Sequence, residues 1–86
     1  MVEAQAANEL LNIVGVKASF VLTNYNNVIY ISARAIDEVN VQIIMEKLGG
    51  GGHMNIAGAQ VEGYTVTEAV RMLKGVISEM QKEGEI

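Results

Sequence analysis

Few residues in this chain have types and spacing suited to chemistry. Four consecutive glycines, Gly49 to Gly52, run directly into His53, the single histidine. Glycine loses the most conformational freedom on ordering, so four in a row destabilise a small domain unless their bareness is used. The chemical use is close approach of backbone to a ligand. Consecutive N–H groups turned into one concavity attract an anion, phosphate above all. A short helix pattern precedes the run, and the residues after it can open another. That arrangement would add the positive end of a helix dipole to the same point. The second reading is a plain loop in which Gly49 caps a helix ending at Leu48. The run matches neither GxxxxGK[ST] nor GxGxxG, and spacing leaves both readings open.

Arg34 is the natural companion of this loop. It lies near the end of a strand pattern, and a guanidinium binds phosphate oxygens in bidentate fashion. One short helix joins that strand to the glycines, so Arg34 and His53 can converge on one phosphate. There His53 would donate a hydrogen bond or protonate a leaving oxygen. The competing use of Arg34 is a surface ion pair with Asp37 or Glu38. Those two carboxylates are adjacent and cannot share one helix face. One histidine and scattered acids do not supply a dinuclear metal centre, so no metal ligand is expected. Ser19, Ser32 and Ser78 lack the flanking glycines of a nucleophile elbow. Together the residues amount to a phosphate-binding half-site without a catalytic engine.

The elements that must position these groups follow from periodicity. Ala4, Ala7, Leu10, Leu11 and Val14 have helical spacing, ended by Gly15. The expectation is a linker helix over 1–15 and a domain over 16–86. Ala18 to Thr23 and Val28 to Ala35 read as strands of an antiparallel hairpin, with Asn24, Tyr25, Asn26 and Asn27 as turn chemistry. Val28, Tyr30, Ser32 and Arg34 share one face of the second strand. Asn40 caps a helix carrying Val41, Ile44, Met45 and Leu48. Met54 to Gly58 is short and Ala-rich, read as a helical turn, and Gln60 to Tyr64 as a short strand. Thr65 and Glu68 form a capping box. The last helix turns Val66, Ala69, Val70, Leu73, Val76, Ile77 and Met80 inward and Arg71, Lys74, Glu79, Gln81 and Lys82 outward. The order argues an α+β fold, a small mixed sheet with an N-terminal hairpin and packed helices.

Composition sets the bounds. Eighty-six residues, half of them hydrophobic, make one small domain with an adequate core. A net charge of −4 argues against a non-specific nucleic-acid binder but leaves room for one focused phosphate site. Without cysteine there is neither a disulfide framework nor a thiolate metal site, as suits a reducing compartment. No apolar run approaches the roughly 18 residues of a membrane span, and no signal-peptide pattern is present.

The stretch Ile31-Ser-Ala-Arg34, followed by Asn40-Val-Gln-Ile-Ile-Met-Glu-Lys-Leu-Gly-Gly-Gly-Gly-His53, resembles the DHH-associated domain of DHH phosphoesterases. Within these it looks most like the C-terminal domain of GdpP-type cyclic di-AMP phosphodiesterases. The resemblance runs from about Ala6 to the end of the chain. The GGGH element is shared with RecJ-like exonucleases and with oligoribonuclease/pAp-phosphatase proteins. Val41 to Leu48 and Gln60 favour the cyclic-dinucleotide branch. After the histidine the chain reads Met54-Asn-Ile-Ala-Gly-Ala-Gln60, where many relatives carry an Ala-Ala-Gly run.

The resemblance implies a two-module enzyme in which a DHH module holds an Mn²⁺ pair and the associated domain grips substrate across a cleft. This chain contains no Asp-His-His triplet, so it would hold no cofactor and be inactive alone. Gly50, Gly51, Gly52 and His53 would face the scissile phosphate, and Arg34 would hold the phosphate or the sugar-phosphate backbone. The implied partners are a cyclic dinucleotide or short oligonucleotide phosphate, the DHH module of the same polypeptide, and, as a further candidate, a second copy. The implied location is cytoplasmic, with no membrane contact by this domain even if its parent is anchored. Two alternatives stand beside this: the same domain of an oligoribonuclease/pAp phosphatase or RecJ-like exonuclease, and a non-catalytic interaction module docking through its N-terminal helix.

Overall fold

Two asparagines reverse the chain at its central hairpin. Asn26 and Asn27 have φ of +53° and +64°, the left-handed pair that a two-residue hairpin turn requires and that Asn tolerates better than most residues. In the computed structural model, which describes residues 7–12, 17–36 and 39–85, this turn joins β2 (Ala18–Tyr25) to β3 (Val28–Ala35). Their register runs from Tyr25 opposite Val28 to Ala18 opposite Ala35.

The remaining elements are β1 (Ala7–Asn12), α1 (Val41–Glu46), β4 (Gly51–Gly52), β5 (Ile56–Glu62) and α2 (Val66–Lys82). The strands form one sheet in the order β1-β2-β3-β5-β4. The α+β class is as expected, but the sheet is antiparallel at every pairing rather than mixed.

Two expectations are corrected here. The stretch read as part of a linker helix over 1–15 contains strand β1, paired with β2 from Ala7 opposite Asn24 to Asn12 opposite Ser19. An alanine-rich, shallow helical stripe has little to bury, whereas the edge of β2 offers a full row of backbone partners; tertiary context overrides propensity. The helical turn expected over Met54 to Gly58 is also absent, because β5 begins at Ile56. Its signal was the alternation of Ala57, Ala59 and Val61, all buried, with Ile56, Gln60 and Glu62, all exposed.

That alternation builds the core. One sheet face carries Ala18, Phe20, Leu22, Ile29, Ile31, Ala33, Ala57, Ala59 and Val61 into a single cluster with Val41, Ile44 and Met45 of α1 and Ala69, Leu73, Ile77 and Met80 of α2. Each fully buried large side chain, such as Phe20 or Leu73, contributes about 1.5–3 kcal/mol relative to exposure. Both helices start on their expected caps. The Asn40 side chain accepts from the Gln42 and Ile43 N–H groups at 3.0 and 3.4 Å. Thr65 and Glu68 close a capping box at 2.8 and 3.1 Å. Arg71, Lys74, Glu79, Gln81 and Lys82 form the exposed face of α2. The helices therefore cover one face of the sheet, and the other is left open.

Candidate phosphate-binding face

The glycine run begins as a helix ending. Gly50 N–H donates to Met45 O at 2.8 Å and Gly49 N–H to Glu46 O at 3.0 Å, with Gly49 at φ +86°. These are the paired bonds and left-handed residue of a Schellman motif. The cap expected at Gly49 is thus present.

The next glycines serve close packing. A Cβ on Gly50 would collide with Gly58 O and lie 2.6 Å from Ala59 Cα. One on Gly52, at φ +144°, would lie 2.5 Å from Ala57 Cα and 2.8 Å from Ile56 O. The β4 backbone lies against β5 so tightly that side chains are excluded at both positions. Gly51 differs: its Cβ would meet nothing within 4 Å and its φ is not positive. The fold gives a reason for three of the four glycines and none for Gly51.

The amide donors do not converge as expected. The N–H groups of Gly49 and Gly50 are taken by α1 carbonyls, and His53 N–H donates to Ile56 O at 2.7 Å. Gly51 and Gly52 sit in the β4–β5 ladder. The run leads into a tight turn and a strand rather than into a helix, so no helix N-terminus with its positive dipole end is aimed at it. What the glycines supply is bare surface.

Sheet register assembles the side chains. Antiparallel partners lie on the same face, and three of the cross-strand rows on the open one lie beside the glycine run. In the first, Arg34 is opposite Ile56, and Ile56 is closed on from the other side by His53. Arg34 and His53 are both exposed and stand two strand spacings apart, about 9–10 Å. In the second row Ser32 is opposite Gly58, and Gly58 opposite Gly51. In the third Tyr30 is opposite Gln60. Across β3, β5 and β4 the middle row holds one hydroxymethyl group and two bare backbones, with Val21 opposite Ser32 closing it on the β2 side, so it is a trough between rows of long side chains. A cavity of about 540 Å³ lies along it, lined by Tyr30, Ser32, Gly49, Gly50, Gly58 and Gln60 among others.

Of the residues expected at the site, Gly50 lines this cavity. Gly51, Arg34 and His53 do not line it: Gly51 opposes Gly58 on the β4 side, and Arg34 and His53 stand in the adjoining row. Gly52 faces Ala57 toward the buried side. The ion pair considered between Arg34 and Asp37 or Glu38 lies outside the described residues. Gly58 was missed, hidden by the helical reading of its segment; its signal was its place in the alternation of Ala57, Ala59 and Val61. A Cβ there would press to 3.0 Å on Ile31 O. Among the described residues no three His, Cys, Asp or Glu side chains are grouped as a metal ion requires. No described helix is long and apolar enough to cross a membrane.

Comparison with known proteins supplies the context of this face. Residues 2–79 match the DHHA1 domain family. The chain is 47% identical over 78 residues to the cyclic-di-AMP phosphodiesterase PdeA of Listeria monocytogenes, covering 90% of this chain and 12% of that protein. It is 48% identical over 82 residues to the cyclic-di-AMP phosphodiesterase GdpP of Bacillus subtilis, again 12% of that protein. It is also 42% identical over 83 residues to a membrane protein–large ribosomal subunit bL9 fusion protein of Aster yellows witches'-broom phytoplasma, 10% of its length. The chain thus spans about an eighth or less of the curated relatives it matches. With the match extending over β1 through most of α2, the chain belongs to the DHHA1 domain family.

Proposed function

We propose that this domain is the substrate-gripping half of a cyclic di-AMP phosphodiesterase, a hydrolase that opens a 3′–5′ phosphodiester to linear pApA. The observation that carries the reading is the row Arg34, Ile56, His53 standing beside the bare row Gly51, Gly58, Ser32. A phosphate held at the first row, at the edge of that bare surface, meets a permanently charged guanidinium on one side and an imidazole on the other. Arg34 neutralises and orients the phosphate. His53 donates a hydrogen bond to it or protonates the leaving oxygen as the ester breaks. Gly51 lets the sugar-phosphate approach the chain without meeting a side chain, while Gly50 and Gly52 bring the backbone close against β5.

The Mn²⁺ pair belongs in this reading to a DHH module joined to the domain, where it would activate the attacking water. The residues described here offer it no ligand set, and their part is to bind, orient and stabilise. In the parent the domain lies on the cytoplasmic side, and any membrane attachment is through other segments. The names of the PdeA and GdpP relatives support the substrate assignment. The test is turnover by a polypeptide joining this domain to a DHH module, with cyclic di-AMP, pAp and a short oligoribonucleotide compared. Preference for cyclic di-AMP, weakened by Arg34→Ala, supports the reading. Preference for pAp or the oligomer moves the domain to another DHH branch.

A further inference from the structure

Beyond the phosphate contacts, the third row of the open face has a chemistry of its own. Tyr30 and Gln60 are register partners on β3 and β5. Both line the cavity, and Tyr30 is 39% exposed although it stands on a central strand. A phenol and a neutral amide can each donate one hydrogen bond to a phosphate, but that use draws on neither the ring face nor the amide's acceptor. An aromatic platform beside an amide is what reads a flat heterocycle: the ring stacks on its face and the amide pairs with its edge. A glutamine amide presents one acceptor and one donor side by side, the complement of the adenine N6–H and N7 pair. We infer that Tyr30 and Gln60 form a base subsite selective for adenine. The inference rests on the phosphate reading of Arg34 and His53.

Spacing supports one nucleotide lying across the three rows. Same-face residues on a strand are about 6.8 Å apart, so the Tyr30 and Arg34 rows are separated by about 13–14 Å. The middle row is the bare trough at Gly51, Gly58 and Ser32. With a phosphate at Arg34 and a base at Tyr30, the sugar lies over Gly58, where a side chain would obstruct it. The Ser32 hydroxyl, exposed in the same trough, is placed for a sugar oxygen.

The test is an NMR titration of the 86-residue chain with three probes: ribose 5-phosphate, 5′-AMP and 5′-IMP. Ribose 5-phosphate lacks the base, and the hypoxanthine of 5′-IMP replaces the N6 amino group by an oxygen. The expected result is that ribose 5-phosphate shifts Arg34 and His53 alone. 5′-AMP adds shifts at Tyr30 and Gln60 and binds about 10- to 100-fold more tightly, the range of one stacked base. 5′-IMP should bind more weakly than 5′-AMP by about 5- to 100-fold, the discrimination of one bidentate amide pair. Tyr30→Ala should lose the gain from the base while Tyr30→Phe keeps it, and Gln60→Leu should bind 5′-AMP and 5′-IMP alike. Equal affinity for 5′-AMP and ribose 5-phosphate, with shifts only at Arg34 and His53, overturns the base subsite and leaves the phosphate reading standing. No shift at Arg34 or His53 with any probe overturns both. An unchanged preference for 5′-AMP in Gln60→Leu removes Gln60 from recognition. The wild-type comparison of probes decides the question even if Tyr30→Ala does not fold.

Discussion

Arg34 and His53 stand on opposite sides of Ile56. Arg34 is its register partner on β3, and His53 donates its backbone N–H to the Ile56 carbonyl at 2.7 Å from the β4 side. Thus two side chains 19 positions apart in sequence are fixed by a single residue of β5. Neither is in the core, and both are exposed.

Their chemical difference predicts different kinetic effects in a polypeptide that joins this domain to a DHH module. On the proposed reading Arg34, with its fixed charge, holds phosphate in ground state and transition state alike, so Arg34→Ala should chiefly raise KM. On the same reading His53 moves a proton as the ester breaks, so His53→Ala should chiefly lower kcat, by about 10²- to 10⁴-fold. Because both side chains are exposed, melting curves of the two variants should overlay the wild type. Wild-type kinetics in both variants would remove them from the site.

The four glycines should separate into two classes. Alanine at Gly50 or Gly52 forces a Cβ onto β5 backbone. Such overpacking costs about 1–3 kcal/mol or more, which for a chain of this size lowers Tm by about 4–8 °C per kcal/mol. Gly51→Ala has open space around it, so its Tm should stay within about 2 °C of wild type, the range of an ordinary surface change. If phosphate or sugar rests on that bare surface, the same methyl should raise KM. A folded Gly51→Ala domain with unaltered substrate affinity would show that nothing approaches there.

The Asn40 cap links α1 to the loop that α1 delivers. Its side chain accepts two N–H groups at the helix start, while the other end of this six-residue helix runs into Gly49. Asn40→Ala should cost about 1 kcal/mol. In an amide-exchange measurement the loss should appear first as faster exchange at Gly49 and Gly50, whose bonds depend on Met45 and Glu46. Faster exchange confined to α2 would break the link.

These variants also show how much of the molecule its sequence exposes. Where a side chain states its own role locally, the reading holds: the Asn40 cap, the Thr65–Glu68 box and the facing of α2 are present as expected, and the turn expected over Asn24 to Asn27 is present but tightened to Asn26–Asn27, since β2 runs on through Asn24 and Tyr25. The same is true of Arg34, since period-two alternation puts it with Tyr30 and Ser32. Readings fail where partners distant in sequence decide. Ala7–Asn12 has a helical stripe of alanines and leucines, yet β2 recruits it as a strand. The glycines look like an amide nest because sequence cannot show that β5 lies against Gly50 and Gly52 and that α1 carbonyls hold two of their N–H groups. The helical reading of Met54 to Gly58 had a further consequence. It hid Gly58, the residue that extends the bare floor from Gly51 to Ser32.

The chain as it stands should hydrolyse no phosphodiester. Breaking the ester requires an activated water on the side opposite the leaving oxygen. Among the described residues the groups that could activate one are a single exposed histidine and carboxylates that do not cluster. The three rows about the trough instead offer cationic and neutral hydrogen-bonding groups, with Glu62 one row beyond, an arrangement suited to holding charge rather than generating a nucleophile. Incubation of highly purified chain with cyclic di-AMP and Mn²⁺, followed by chromatography, should therefore yield no pApA above a protein-free control. Adding a DHH module on the same polypeptide should restore turnover, because it contributes the metal ligands while Arg34 and His53 remain in place. Reproducible turnover by the 86-residue chain, abolished by His53→Ala, would overturn the division of labour between the two modules. It would require the chain to carry a nucleophile of its own.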